Sequence, residues 1–261
     1  MRWWILSMAA AAALASSCSI KEDRTECACL LVLDLSSCAN APDNIRIDLK
    51  TLDDRIRKDI IPGQDNPFYE CPVAKGACSL TAFICPGKLS SKEDYITVEP
   101  GENFPELYAS KSVFEASGET LEHKVVLHKQ FATVTIDLDD SPWDEATCEI
   151  TVKGSISGIS LSDLKPVQGQ FIYIVPADEQ GKRTFRLPRQ TEGSVGDLIL
   201  EIRTAGGSPQ IFELGKYLSE AGYDWEMEDL QDITVKIRES EIIVDIKSSD
   251  WIIQTTEVIV I

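Results

Sequence analysis

The chain has 261 residues, with 25 lysines and arginines against 43 aspartates and glutamates, so its formal net charge is −18. A charge this negative repels phosphate backbones and excludes nucleic-acid binding as a function. The length is sufficient for one or two domains with buried cores. Beyond the N-terminus, no stretch reaches the roughly 18 uncharged apolar residues of a membrane-spanning helix.

The N-terminus has the layout of a secretory signal. Arg2 supplies a positive charge, residues 3–15 carry no charge, and two serines lead into Cys18. The apolar stretch is too short for a spanning helix, which needs roughly 17–25 residues. Small residues ending in a cysteine resemble the bacterial lipoprotein signal, in which the thiol receives a diacylglycerol. We therefore predict a signal peptide over residues 1–17 and lipidation of Cys18, with an ordinary secreted protein as the alternative.

A short charged stretch follows Cys18. Residues 19–23 read Ser-Ile-Lys-Glu-Asp, which resembles the signal that sends lipoproteins to the outer face of the outer membrane in Bacteroidetes-type bacteria. A solvated acidic tether is the alternative. Two or three acyl chains hold a protein on a bilayer almost permanently, because each buried methylene contributes about 0.8 kcal/mol. We assign residues 18–28 as a lipidated tether and expect a lipid-anchored, surface-exposed protein of the outer membrane.

Seven cysteines follow Cys18, and six of them lie before residue 90. Outside the cytoplasm they could form up to three disulfides with one thiol left over, and the sequence leaves the pairing open. Cys27 and Cys29 have the spacing of a metal-binding pair, but no second pair completes a zinc site. Buried thiols or disulfides are the favoured interpretation, and we predict no metal and no cofactor.

Strand patterns dominate the rest of the chain. Residues 45–50 alternate strictly between apolar and charged side chains, as a half-buried strand does. A short helix is predicted over residues 214–221, ended by Gly222. Apolar or alternating runs predict further strands at residues 29–35, 79–85, 95–98, 122–127, 130–138, 148–153, 170–175, 198–203, 233–237, 242–246 and 257–261.

Many short strands separated by Pro, Gly, Asn and Asp favour an all-β fold built from antiparallel sandwiches. The length fits two sandwiches better than one. We predict an N-terminal β-sandwich over residues 29–127 and a C-terminal β-sandwich over residues 128–261.

Segments spread over nearly the whole chain carry a resemblance to one family. They are residues 18–35, 128–136, 217–225 and 232–237, and Trp251. Together they resemble the fimbrial anchor family of Bacteroidetes-type bacteria, the fimbrillin-A-associated anchor lipoproteins, although this chain has Cys-Ala-Cys where the family usually has Cys-Pro-Cys. The resemblance implies two transthyretin-like antiparallel β-sandwich domains in tandem and a lipid-tethered protein at the base of a type V fimbria. It implies a stalk subunit as partner, no enzymatic activity and no small-molecule substrate.

Fimbriae of this kind resemble other donor-strand polymers, in which one subunit lends a strand to a groove in the next. In the related class, stalk subunits open that groove when a protease removes their N-terminal strand at an arginine. A cut at Arg46, Arg55 or Arg57 would here separate the body from the membrane unless a disulfide spanned the cut. An anchor should therefore keep its first strand, at residues 29–35.

The other end of the chain is an apolar, β-branched run. We predict that this run lodges in the groove of the first stalk subunit, with backbone hydrogen bonds giving affinity and alternate side chains filling pockets. The alternative is that it forms the last strand of its own sheet. The residues are Glu257, Val258, Ile259, Val260 and Ile261.

A cell-surface glycan-binding lipoprotein is the alternative function. Trp143, Trp225 and Trp251 lie outside the signal, and exposed tryptophans stack on sugars, although burial in a core is more common. Glycan binding predicts two coplanar aromatic side chains on an exposed face. His123 and His128 are expected on opposite faces of one strand, where they cannot share a metal unless the strand breaks between them.

Overall fold

The structure is a computed structural model that describes residues 27–38, 44–61, 67–85, 94–138, 148–179, 181–204, 206–238 and 241–247. The predicted signal peptide, Cys18 and the C-terminal run at residues 257–261 lie outside this part of the chain. Within it the fold is all-β, as predicted, with strands arranged in four sheets and a single α-helix.

The strands follow one another along the chain with short connections. In chain order they are β1 (Cys29–Asp34), β2 (Ile45–Lys50), β3 (Arg55–Ile60), β4 (Phe68–Val73), β5 (Gly76–Ile84), β6 (Tyr95–Thr97), β7 (Tyr108–Ala116), β8 (Thr120–Lys124), β9 (His128–Lys129), β10 (Phe131–Asp137), β11 (Glu149–Ser160), β12 (Pro166–Ile174), β13 (Arg183–Pro188), β14 (Ile199–Arg203), β15 (Gln210–Phe212), β16 (Asp232–Arg238) and β17 (Glu241–Lys247).

Two sheets come from the first half of the chain and two from the second. The first half gives a three-stranded sheet, β4–β1–β8, and a five-stranded sheet, β3–β2–β5–β7–β9. The second half gives a four-stranded sheet, β13–β10–β16–β17, and a sheet of order β12–β11–β14–β15, in which β6 also pairs with β11. Most pairings are antiparallel, but β1 with β8 and β10 with β16 are parallel.

In the described part of the chain, two hydrophobic cores contain nearly all the buried apolar side chains. The first gathers residues from both N-terminal sheets, among them Leu31, Ile47 and Leu80. The second gathers residues from both C-terminal sheets, among them Val134 and Ile150. Inward-facing residues alternate with outward-facing ones along β1 and β2, which is the pattern of a sheet with one face in a core.

The predicted helix is confirmed as α1 (Leu214–Glu220). Gly222 follows it with a φ of +78°, which glycine adopts without the steric cost of a Cβ atom. The N–H of Tyr223 donates to Leu218 O at 2.9 Å and that of Gly222 to Ser219 O at 3.0 Å, so the helix ends in a Schellman motif. No helix in the described part of the chain is long and apolar enough to cross a membrane.

The sequence prediction missed β3, β4, β7, β9, β13 and β15. Charged residues fill β3, an edge strand that is mostly exposed, so it lacks an alternating apolar pattern. The prediction also ended β11 at residue 153, whereas the strand continues to residue 160 through Gly154 and Gly158, with register shifts against β12. Glycines interrupt an apolar pattern at such irregularities, because they mark bulges and close backbone approaches.

Candidate functional site

β1 is the middle strand of its sheet. It pairs with β4 along its whole length and with β8 from residue 30 onward. The side chains of Leu31 and Leu33 are fully buried in the first core, and the N–H of Leu30 donates to Glu119 O at 2.8 Å. Removing such a strand would break two ladders and expose its apolar face, so it leaves only when the sheet unfolds.

Arg46 lies in β2 and is held by the neighbouring strand. Its Nε and Nη2 donate to the two carboxylate oxygens of Asp59 in β3, at 2.6 and 3.1 Å. The hydrogen bonds from Arg46 outweigh partial burial and keep the pKa of Asp59 below its usual value. Exposed loop tips are the preferred sites of proteolysis, and Arg46 lies instead in a strand paired on both edges.

Arg55 and Arg57, on β3, share two carboxylates. Arg55 Nε donates to Asp48 Oδ1 at 2.8 Å and its Nη2 to Asp94 Oδ1 at 2.7 Å. Arg57 Nε donates to Asp48 Oδ2 at 3.1 Å. Burial raises the pKa of Asp48, but Arg55 and Arg57 outweigh it and leave the pKa below its usual value. The hydrogen bond from Arg55 likewise lowers the pKa of Asp94.

Asp94 begins a segment, the strap (residues 94–98), that ties the first half of the chain to the second. β6 lies within the strap and pairs with β11, and the N–H of Val98 donates to Ser157 O at 3.0 Å. A Cβ atom on Gly158 would lie 2.2 Å from Ile96 O. Only glycine leaves room for the strap at this point, so the strap spans the predicted boundary at residue 127 by a close backbone contact.

Four cysteines in the described residues are free thiols buried in the first core: Cys29, Cys38, Cys71 and Cys78. Burial raises the pKa of the Cys38, Cys71 and Cys78 thiols. A thiol with a raised pKa stays protonated at neutral pH and is a poor nucleophile. For these residues the buried-thiol interpretation is the one that the structure supports.

A cleft of about 780 Å³ opens between the two halves of the chain. Its walls come from residues 109–112 of β7, from residues within 123–130, and from the segments at 163–166, 189–191 and 226–228. Lys111, Lys124 and Lys165 line it and are exposed. Asp163 and the glutamates of the 226–228 segment line it too, so positive and negative groups are mixed on a chain that is strongly negative as a whole.

Arg189 connects two walls of this cleft. Its Nε and Nη2 donate to Gln130 Oε1 at 3.2 and 3.1 Å. Its Nη1 donates to Met227 O at 2.8 Å and also to Trp225 O, and its Nη2 reaches Glu228 O at 3.3 Å. Burial lowers the pKa of the guanidinium. The side chain therefore links the two walls through hydrogen bonds to carbonyl oxygens.

The expectation that His123 and His128 share one strand is wrong. β8 ends at Lys124, and His128 belongs to β9 in another sheet. The ring of His123 stacks on Phe114 at 4.6 Å and its Nε2 lies 2.9 Å from Ser112 Oγ. Both histidines line the cleft. In the described part of the chain, no three His, Cys, Asp or Glu side chains are grouped to hold a metal ion.

β7 offers an open backbone edge beside this cleft. It pairs with β5 along its full length, whereas β9 covers its other edge only at Tyr108 and Ala109. From Ser110 to Ala116 that edge has no partner strand among the residues that the structure describes. Val113, near the middle of this stretch, is 71% exposed. Sequence reasoning missed both the strand and its edge, because the pairing of β7 depends on residues distant in the chain.

Trp225 is a core residue, as the favoured interpretation predicted. It is 7% exposed, and its ring packs edge-to-face on Tyr223 at a centroid distance of 4.5 Å. A tryptophan in this position offers no exposed face for a sugar to stack on. Trp143 and Trp251 lie outside the described residues, as do Cys18 and residues 257–261, so the predictions made for them stand untested.

The fold of the chain is similar to the folds of solved structures of candidate adhesins and of a fimbrial anchor protein. A candidate adhesin from Bacteroides thetaiotaomicron is 14% identical with a TM-score of 0.58, over 89% of this chain and 99% of that chain. The fimbrial anchor protein Mfa2 from Porphyromonas gingivalis is 13% identical with a TM-score of 0.54, over 88% and 100%.

A third solved structure, of candidate polysaccharide-binding proteins from Bacteroides thetaiotaomicron, is 11% identical with a TM-score of 0.59, over 83% of this chain and 95% of that chain. No family model and no curated protein matches the sequence. At these identities the likeness establishes the fold. It confirms the all-β architecture that the resemblance to the fimbrial anchor family implied.

Proposed function

We propose that this protein is a lipid-tethered anchor subunit that holds a fimbria to the outer membrane. Three features support the proposal. They are the fold that the chain shares with a fimbrial anchor protein and with candidate adhesins, the lipoprotein signal that ends at Cys18, and the pairing of β1 with a strand on each of its edges. The third carries most weight, because β1 begins eleven residues after Cys18 (29 − 18 = 11) and is paired on both edges.

The position of β1 between β4 and β8 suits a subunit under tension. Pull on the tether would enter the body at Cys29 and load the ladders with β4 and β8 together. The three arginines at which a cut would release the body lie in the paired strands β2 and β3, and each is ion-paired. A body built this way keeps its first strand, whereas a stalk subunit of the related class gives its strand up.

The anchor engages the first stalk subunit by donating the C-terminal strand at residues 257–261. An apolar, β-branched run at an exposed edge is an aggregation hazard unless another strand covers it, which supports donation. In an added strand, alternate side chains point to opposite faces. Either Val258 with Val260, or Ile259 with Ile261, would therefore fill pockets on the partner.

Truncation after Thr255 tests this step in the native host. We expect the truncated protein to fold, to reach the membrane and to leave fimbriae unattached. The matched pair of variants is Val258→Ser with Val260→Ser against Ile259→Ser with Ile261→Ser. One pair should reduce attachment much more than the other, because only one face enters the groove. If the truncated protein keeps its thermal unfolding transition and fimbriae stay attached, strand donation from this end is wrong.

We do not propose glycan binding, because neither the tryptophan nor the cleft that the structure describes supports it. Trp225 is buried, and the side chains that line the cleft include no tryptophan, tyrosine or phenylalanine. Carbohydrate sites use aromatic faces, so a cleft of this composition is a poor sugar platform. The description of one structural neighbour as polysaccharide-binding applies to that protein.

A further inference from the structure

We propose that the open edge of β7, from Ser110 to Ala116, is a second docking site that accepts an extended β-strand from another protein subunit. The occupant carries acidic residues at the end that enters the cleft. This inference goes beyond the anchor function, because it needs neither the lipid on Cys18 nor the C-terminal residues 257–261. It makes the protein an acceptor of a strand as well as a donor.

The backbone of β7 is arranged for strand addition. The N–H of Gln130 donates to Leu107 O at 2.9 Å on the β9 side. Backbone groups alternate between the two edges of a strand, so the N–H and C=O groups of Lys111, Val113 and Glu115 point to the same side as Leu107 O. These groups form a row of donors and acceptors to which an incoming strand can bind.

Two other edge strands of the first half, β4 and β3, are better protected. β4 carries Pro72, and β3 carries Arg55, Arg57 and Lys58. Proline and charged residues on an edge discourage pairing with a foreign strand. β7 has no proline, carries two charged residues (Lys111 and Glu115) against four in the shorter β3, and leaves Val113 71% exposed in the middle of its open stretch. An unprotected strand edge promotes aggregation unless it binds a strand of a partner.

The charges beside the edge specify the occupant. On the exposed face of β7, Lys111 favours an acidic residue opposite it, Val113 a β-branched or aromatic one, and Glu115 a basic one. An antiparallel partner strand runs from Glu115 towards Lys111. Read from its N-terminus, the preferred partner therefore has a basic residue, any residue, a β-branched residue, any residue and an acidic residue. Past Lys111 the strand reaches the cleft, where Lys124 and Lys165 favour a further acidic residue.

The cleft also contains acidic groups, which set a limit on the charge of the occupant. Asp163 lines the cleft beside Lys165 and Lys111, whose charges help to lower its pKa after the larger effect of its hydrogen bond with Ser160. Glu228 lines the opposite wall. A strand with one or two acidic residues at its C-terminal end fits this balance, whereas a polyanion does not.

A synthetic peptide with the sequence Lys-Thr-Val-Thr-Glu-Thr-Asp tests the proposal on the purified mature protein. We expect the peptide to slow amide hydrogen exchange at Lys111, Val113 and Glu115. Val113→Pro removes one outward N–H that β5 does not use and should abolish this protection. Val113→Thr keeps the N–H and the strand propensity, so it serves as the matched control and should retain binding.

A charge exchange keeps the test valid if the proline variant does not fold. The peptide Glu-Thr-Val-Thr-Lys-Thr-Asp should bind the wild-type protein about fivefold more weakly, as expected for the upper range of cross-strand pairs. The double variant Lys111→Glu with Glu115→Lys should reverse this preference. The proposal is overturned if exchange at β7 is unchanged, if protection appears at another edge, or if β7 becomes protected without peptide as protein concentration rises, which would make a second copy the occupant.

Discussion

At the scale of single residues, His123 is a partly buried imidazole that packs on the ring of Phe114. Burial lowers its pKa, so the unfolded chain, with a pKa of about 6.5, binds protons that the folded chain does not. The stability it contributes is present above about pH 6.5 and is lost as the pH falls. We predict that the unfolding free energy drops more steeply between about pH 7 and pH 5 for the wild-type protein than for His123→Gln.

Urea denaturation at a series of pH values measures this difference. Asp48, Asp59 and Asp94 have pKa values below the usual range. The stability that these carboxylates contribute is therefore lost at lower pH and does not overlap with the range between about pH 7 and pH 5 in which His123 is measured. Parallel curves for the two proteins would show that the imidazole of His123 titrates as it does in the unfolded chain.

Gly158 is the residue on which the strap depends. A Cβ atom there would lie 2.2 Å from Ile96 O and 2.7 Å from a methyl carbon of Thr97. We predict that Gly158→Ala costs about 1–3 kcal/mol of unfolding free energy, because β6 must shift away from β11. Gly193→Ala is the matched control, since nothing lies within 4 Å of its Cβ position. Equal effects of the two substitutions in thermal unfolding would contradict the tight contact.

At the scale of elements, β1 provides an internal comparison of buried and exposed positions. Leu31 is fully buried and Leu30 is 38% exposed. We predict that Leu31→Ala lowers the unfolding free energy by about 2–5 kcal/mol, and that Leu30→Ala lowers it by about 1 kcal/mol or less. Chemical denaturation of both variants measures the difference. Similar losses would mean that β1 is not held by its core face.

The elements that the sequence predicted well are those whose pattern follows from burial on one face. Residues 45–50 alternate because β2 lies between two strands with one face in the core. β3 could not be predicted in this way, since the exposed Lys58 lies between Ile56 and Ile60, the two apolar residues of the strand that pack against the first core. In β7, serines occupy inward-facing positions, so the contrast between its faces is weak. Local pattern thus predicts core strands, and pairing distant in the chain decides the rest.

At the scale of the whole molecule, the two halves are joined by more than the chain connection at residue 127. The strap pairs with β11, Asp94 at its start is ion-paired to Arg55, and the N–H of Gln130 donates to Leu107 O across the boundary. A force applied between the N-terminal tether and the C-terminal end would be shared among these contacts. Such sharing is what an anchor requires of its body.

The candidate sites differ in how far the sequence could predict them. The predicted lipidation of Cys18 is based on a local motif, and the proposed donation by residues 257–261 is based on a local apolar run. The open edge of β7 and the cleft beside it arise only when strands distant in the chain pair and leave part of an edge uncovered. The sequence contains no short motif for that arrangement.

The most direct test of the anchor function is the location of the protein and of assembled fimbriae in the native host carrying Cys18→Ala. Cys27→Ala is the matched control, because this exposed cysteine lies outside the lipoprotein signal. We predict that only Cys18→Ala removes both protein and fimbriae from the cell surface and sheds fimbriae that carry this protein at one end. If the protein leaves the membrane while the fimbriae stay attached, it is not their anchor.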